Sequence, residues 1–102
     1  MPLMAHRVSP QAATDLDDIW YYVAKESGSI AVANHLIDSI TDRFFLLAGH
    51  LYLGRSRDDD FGVGSRSFPV NEYVIVYCVK DKDVSILRVV HGRRDIEALF
   101  GN

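Results

Sequence analysis

Ser65-Arg66-Ser67-Phe68-Pro69-Val70-Asn71-Glu72-Tyr73-Val74-Ile75-Val76-Tyr77-Cys78-Val79-Lys80-Asp81-Lys82-Asp83-Val84-Ser85-Ile86-Leu87-Arg88-Val89-Val90-His91 is the stretch that decides the fold. Three runs rich in β-branched and aromatic residues, Ser65–Val70, Tyr73–Val79 and Val84–His91, are separated by Asn71-Glu72 and by Lys80-Asp81-Lys82-Asp83. Short polar breaks between strand formers predict hairpin connections, and hence three consecutive antiparallel strands.

Closing the hairpins through two and four residues sets Val79 opposite Val84, Tyr77 opposite Ile86 and Ile75 opposite Arg88. On the other side Phe68 opposes Ile75 and Arg66 opposes Tyr77. Alternation then sorts the side chains onto two faces. Val74, Val76, Cys78, Leu87 and Val89 form a compact apolar face, expected to bury against helices. Arg66, Phe68, Tyr73, Ile75, Tyr77, Ile86, Arg88 and Val90 form the other. A slip of one residue exchanges the two sets.

The helices are read from the N-terminal half. Met4–Val8 reads as a short first strand, and Ser9-Pro10 starts a helix with serine as N-cap and proline in the first turn. Ala13, Leu16, Trp20 and Val23 follow at helical spacing, and Asp15, Asp17 and Asp18 suit the positive end of the helix dipole. Ser27-Gly28-Ser29 ends this helix and caps a second, whose stripe is Ala33, Leu36, Ile37, Ile40, Phe44 and Leu47, closed by Gly49. So short a turn makes an antiparallel helical hairpin. Trp20, Tyr21 and Tyr22 resemble a stacking platform for bases, but Trp20 lies on the apolar stripe and acidic residues adjoin it. They are read as packing.

His50 to Gly64 is an irregular connection holding Arg55, Arg57 and the run Asp58-Asp59-Asp60. Consecutive carboxylates do not converge without a specific turn, so this is read as a solvated loop and no metal is assigned. No cofactor motif is present. Arg94–Phe100 reads as a short terminal helix with Ile96, Leu99 and Phe100 apolar. The fold class is therefore α+β: an N-terminal helical hairpin on a three- to four-stranded, mainly antiparallel sheet, with a short C-terminal helix, all in one domain spanning residues 1–102.

Composition narrows the function. The chain has 102 residues, 48% hydrophobic and 25% charged, which suits one ordinary globular core. No apolar run reaches the roughly 20 residues of a membrane helix. The first residues lack the apolar core of a signal peptide. Cys78 is the only cysteine, so no internal disulfide forms. A cytoplasmic location is expected. The net charge of −3 argues against broad phosphate binding, so direct contact with nucleic acid would need a local basic patch.

Three readings compete for the face carrying Arg66, Phe68, Tyr73, Tyr77 and Arg88. In the first it is a docking surface for a partner's helix or strand. Alternatively, Arg66 and Arg88 clamp a phosphate while Tyr77 or His91 exchanges protons. In the third reading the arginines pair with Asp95, Glu97 or Glu72 and the terminal helix covers the face. Beside it, His91-Gly92 makes a sharp exit from the last strand, and Arg93 and Arg94 emerge as a positive corner on an acidic protein.

The phrases "VSPQAATDLDDIWYYV", "GSRSFPVNEYVIVY" and "ILRVVHGRRDI", in that order and over nearly the whole chain, resemble the ParE/RelE toxins of type II toxin–antitoxin systems. The last phrase is similar to the ParE branch. The resemblance implies the same fold and a cognate antitoxin whose extended segment wraps the toxin. One departure stands out: family members often carry proline after the second helix, where this chain reads Gly49-His50-Leu51-Tyr52-Leu53-Gly54.

ParE-like members poison DNA gyrase and serve in plasmid stabilization; RelE-like members are ribosome-dependent mRNA endoribonucleases, often with a tyrosine near the C-terminus. Here no tyrosine follows Tyr77, which favours the gyrase branch. On the nuclease alternative the chemistry would fall to Arg66, Tyr77, Arg88 and His91. A third alternative is an inactive homologue that only binds its antitoxin. Target or partner contact is expected of Arg66, Phe68, Tyr73, Tyr77, Arg88, His91, Arg93 and Arg94.

Overall fold

In the computed structural model the described residues are 6–93. The elements run β1 (His6–Val8), α1 (Pro10–Ser27), α2 (Ile30–Gly49), β2 (Arg55–Ser56), α3 (Asp58–Phe61), β3 (Ser65–Val70), β4 (Tyr73–Lys80) and β5 (Asp83–His91). The expected terminal helix at Arg94–Phe100, and the start of the first strand at Met4, lie outside the described residues.

Local chemistry sets the helix ends. The Ser9 side chain accepts the N–H of Ala12, with Pro10 in the first turn, and Ser29 does the same for Val32. Between them Gly28, at φ 69°, takes the left-handed conformation that ends α1. The apolar stripe of α2 is as expected, with Ala33, Ile40, Phe44 and Leu47 buried. That of α1 is rotated by one residue: Ala12 and Ile19 are buried, with Leu16 and Val23 packed beside them, while Ala13 is exposed. Trp20 sits at the margin, where its indole N–H donates to Asn34 Oδ1 at 2.7 Å and ties the helices together. The first turn of α1 holds no acidic residue, so the helix dipole does not account for Asp15.

The sheet has five strands in the order β1-β5-β4-β3-β2, one or two more than expected. β1 pairs with β5 in parallel and every other pair is antiparallel. The two-residue β2 was hidden inside the connection. There the aspartate run turns one short helix, Arg57 pairs with Asp60 at 2.8 Å, and Asp58 accepts the N–H of Gly64.

The β3–β4 register is as expected, with Arg66 opposite Tyr77 and Phe68 opposite Ile75. Tyr77 faces Ile86 and Val79 faces Val84, but Ile75 faces Val89 rather than Arg88. A β-bulge between Val76 and Tyr77 is the cause: Val76 pairs with Arg88, so Leu87 has no partner and the alternation of β5 flips beyond it.

The two faces are also exchanged. Tyr73, Ile75, Tyr77, Val84, Ile86 and Val89 pack with Ala12, Ile19, Ile40, Phe44 and Leu47 in one core. Of the residues expected against the helices, only Val89 is among them, and the bulge puts it there. The space under the helical hairpin is filled chiefly by the larger side chains Tyr73, Ile75, Tyr77 and Ile86, which the smaller Val74, Val76 and Cys78 of the other face could not fill. No helix among the described residues is long and apolar enough to cross a membrane.

Candidate functional site

At the middle of β5 the bulge turns Arg88 away from the core and toward α1. Its Nε and Nη2 donate to the two oxygens of Asp15 at 2.8 and 3.1 Å. The same carboxylate accepts the backbone N–H of Val89 at 2.9 Å. Asp15 is the more enclosed partner, its side chain 13% exposed against 29% for Arg88. Arg88 thus makes a bidentate pair with a helix residue 73 positions earlier, while Asp95 and Glu97, two of the partners expected for it, lie outside the described residues. No sequence spacing points to that partner.

Ser9 completes this junction. Its N–H donates to Ile86 O and its hydroxyl to Leu87 O, both at 2.9 Å. The beginning of α1 therefore takes up backbone groups on either side of the unpaired Leu87. Next to it, Asp15, Asp18, Ile19, Tyr22, Tyr73, Arg88 and Val89 line an open hollow of about 340 Å³. Tyr22 and Tyr73 also border a second hollow, which reaches Asn71 and Glu72.

The exit from β5 forms the corner. Gly92 N–H donates to Glu72 O at 2.8 Å. A Cβ on Gly92 would lie 3.2 Å from Val74 Cγ2 and 3.3 Å from Glu72 O, so close approach is what this position demands. Gly92 has no positive φ, so the close approach and not a left-handed backbone is what calls for glycine there.

The Arg93 N–H donates to His91 Nδ1 at 3.3 Å, leaving the ring proton on Nε2, which faces Glu72 Oε1 at 3.4 Å. Tyr73 meets the His91 ring edge-on, centroids 5.5 Å apart. Arg93 is exposed, and an open space of about 500 Å³ borders His91, Gly92, Arg93, Asn71 and Glu72. Arg94 lies outside the described residues.

The other expected site residues are elsewhere or enclosed. Tyr77 is 0% exposed; its hydroxyl donates to Leu51 O at 3.0 Å and accepts Gly54 N–H at 2.8 Å. Gly54 is needed for this, since a Cβ there would come within 2.6 Å of the Tyr77 oxygen and 2.7 Å of Ser67 O. Arg66 closes the same loop, donating from Nε to Gly54 O and from Nη2 to Tyr52 O, with its guanidinium 5.3 Å from the Tyr52 ring. Phe68 is half-buried against the core and Tyr73 is buried in it.

Arg66 pairs with Tyr77 and His91 with Tyr73, so the two stand four residues apart along β4, roughly 13 Å. The four nuclease candidates do not converge. Sequence reasoning missed Asp15, Ser9 as a link to the sheet, and Gly54. Gly54 carried only a general signal, a glycine in an irregular connection, where the backbone can approach its neighbours closely. Among the described residues no group of three or more His, Cys, Asp or Glu side chains is placed to hold a metal.

Comparison with known proteins agrees with this architecture. Residues 7–96 match the family described as the ParE toxin of the type II toxin–antitoxin system parDE. Toxin ParE3 of Caulobacter vibrioides is 33% identical over 87 residues, covering 85% of each chain. Among solved structures, a chain of the chromosomal ParDE system from P. aeruginosa superposes with a TM-score of 0.74 at 23% identity, covering 86% of this chain and 95% of that one. A chain of the RelBE2 toxin–antitoxin complex from Mycobacterium tuberculosis gives 0.54 at 21% identity, covering 86% and 96%. With the match spanning both helices, the bulged sheet and the corner after it, the chain belongs to the ParE family of type II toxin–antitoxin toxins.

Proposed function

We propose that this protein inhibits growth by poisoning DNA gyrase in the cytoplasm and is neutralised by a cognate antitoxin. Family membership supports the toxin role, and the toxin–antitoxin origin of the two structural relatives supports an antitoxin partner. The observation that carries the choice of target is the dispersal of the phosphate-handling groups. Cleaving RNA requires a proton carrier and phosphate clamps around one phosphorus atom. Here the Tyr77 hydroxyl is buried and doubly bonded, Arg66 holds a loop, Arg88 is neutralised by Asp15, and His91 stands at the other end of the sheet. The net charge of −3 also opposes docking on ribosomal RNA.

In this reading His91, Arg93 and Arg94 form the target-contacting corner. The antitoxin segment covers Arg66 and Phe68 or the helical hairpin beside the hollow at Tyr22 and Tyr73. Purified protein is expected to inhibit gyrase-catalysed supercoiling, accumulate cleaved DNA and leave mRNA intact in a translating extract. Codon-associated mRNA cuts with gyrase unaffected would assign it to RNA cleavage instead. The adjacent gene product is expected to copurify with this chain and relieve the growth inhibition; failure of both would remove the antitoxin from the reading.

A further inference from the structure

We propose that Asp15 is a positioning residue: through Arg88 and the Val89 amide it locks the β5 bulge and so sets where the His91–Arg93 corner is presented. The inference rests on the reading of that corner as the target contact.

A bulge leaves an extra residue without its ladder partner and lets the strand bend, so the direction of the chain beyond it depends on what holds the bulge. Here α1 holds it on both sides. Ser9 takes Leu87 through its carbonyl, while Asp15 takes Val89 through its N–H and Arg88 through both oxygens. Two residues after Val89 the strand ends at His91. There Gly92 N–H donates to Glu72 O, on the neighbouring hairpin. A guanidinium in a two-point pair with a carboxylate has a fixed plane as well as a fixed position, which a single hydrogen bond does not give.

The arrangement also assigns Arg88 a different role from the one its charge suggests. An arginine that meets a target leaves its hydrogen-bonding face open, whereas this one turns two of its donors inward to Asp15. Arg88 acts as an anchor behind the corner. Arg93, which is exposed, is left to make the contact.

The test uses the full-length chain with Asp15→Ala, Asp15→Asn, Arg88→Gln and the double variant Asp15→Asn/Arg88→Gln. The double variant replaces the ion pair by two amides able to hydrogen-bond one another. Asp15→Ala is expected to speed amide exchange at Val89 by tenfold or more and to shift the backbone resonances of Gly92 and Arg93. Resonances at Gly54 and Asp58, in the connection between α2 and β3, stay in place. Each single variant is expected to need about tenfold more protein for half-inhibition of supercoiling at a temperature where it is fully folded, and the double variant to recover most of that loss.

Unchanged exchange at Val89 and unchanged Gly92 and Arg93 resonances in Asp15→Ala would overturn the proposal. So would a double variant no better than Arg88→Gln alone, since Arg88 would then touch the target itself. If the unmodified protein does not inhibit gyrase, the target reading fails; the exchange and resonance measurements still decide whether Asp15 holds the corner.

Discussion

Tyr77 illustrates how much a single side chain can do away from any binding surface. Its ring fills the core while its hydroxyl satisfies two backbone groups, Leu51 O and Gly54 N–H, in a loop with little regular structure. Tyr77→Phe keeps the ring but takes the hydroxyl away from the buried Gly54 N–H and the partly buried Leu51 O. It is expected to cost about 1–3 kcal/mol, read as a lower denaturant midpoint with unchanged slope. Toxicity well below the melting temperature should persist, because the corner lies four residues along β4 from Tyr77. His6 gives a second test at this scale. It lies edge-on to Phe44 and Phe45, with centroids 5.6 and 4.7 Å away, and burial lowers its pKa from the ordinary 6.5. Burial favours the neutral ring, so its contribution is fully present above the unfolded pKa and is lost as pH falls through the lowered folded value. Unfolding free energies at pH 7.5 and 5.5 should therefore differ less in His6→Gln than in the unmodified protein, and an equal pH dependence would refute this role of burial.

Among the elements, the β4–β5 hairpin is the most legible and also the source of the largest error. Its turn is two residues, Asp81 and Lys82, at φ 53° and 71°, the left-handed pair of a type I′ turn. Lysine is strained there, so Lys82→Gly is expected to stabilise the fold by up to about 1 kcal/mol, raising the thermal midpoint without touching any packed group. The caps, the α2 stripe and both hairpins could be read in advance because each follows from residues a few positions apart. The bulge at Leu87 could not, since what stabilises it, Ser9 and Asp15, comes from the other end of the chain. Without the bulge Arg88 falls opposite Ile75, and the choice of the compact apolar face for the helices fails for a separate reason. Both faces are apolar in the middle, and only the volume beneath the hairpin selects the one carrying Ile75, Tyr77 and Ile86. β1 and β2 escaped a full description for a related reason: strands of three and two residues carry too little alternation to register.

For the molecule as a whole, charge and topology converge on one small region. The protein is acidic overall; the parallel pairing with β1 holds the first part of β5, and the splint from α1 holds the strand at Arg88 and Val89, just before its end. Arg93 emerges from that end with Arg94 next in sequence. A cluster of positive charge on an acidic body is screened within about a Debye length, so it acts at contact and contributes little long-range attraction. Alanine at Arg93 and Arg94 together is therefore expected to lower growth inhibition strongly at equal soluble protein, while the melting temperature moves by no more than a few degrees. Exposed side chains away from packed features usually change stability by under roughly 0.5 kcal/mol, and Arg93 is exposed. Arg88→Ala should behave differently. Removing the guanidinium leaves the Asp15 carboxylate, itself only 13% exposed, without its ionic partner, so both stability and toxicity should fall. Growth rate on induction, paired with thermal melting of each purified variant, separates the two patterns. A double alanine variant that stays fully toxic would take the corner out of the proposed mechanism and turn the search for the target contact toward the exposed aromatic residues of the helical hairpin.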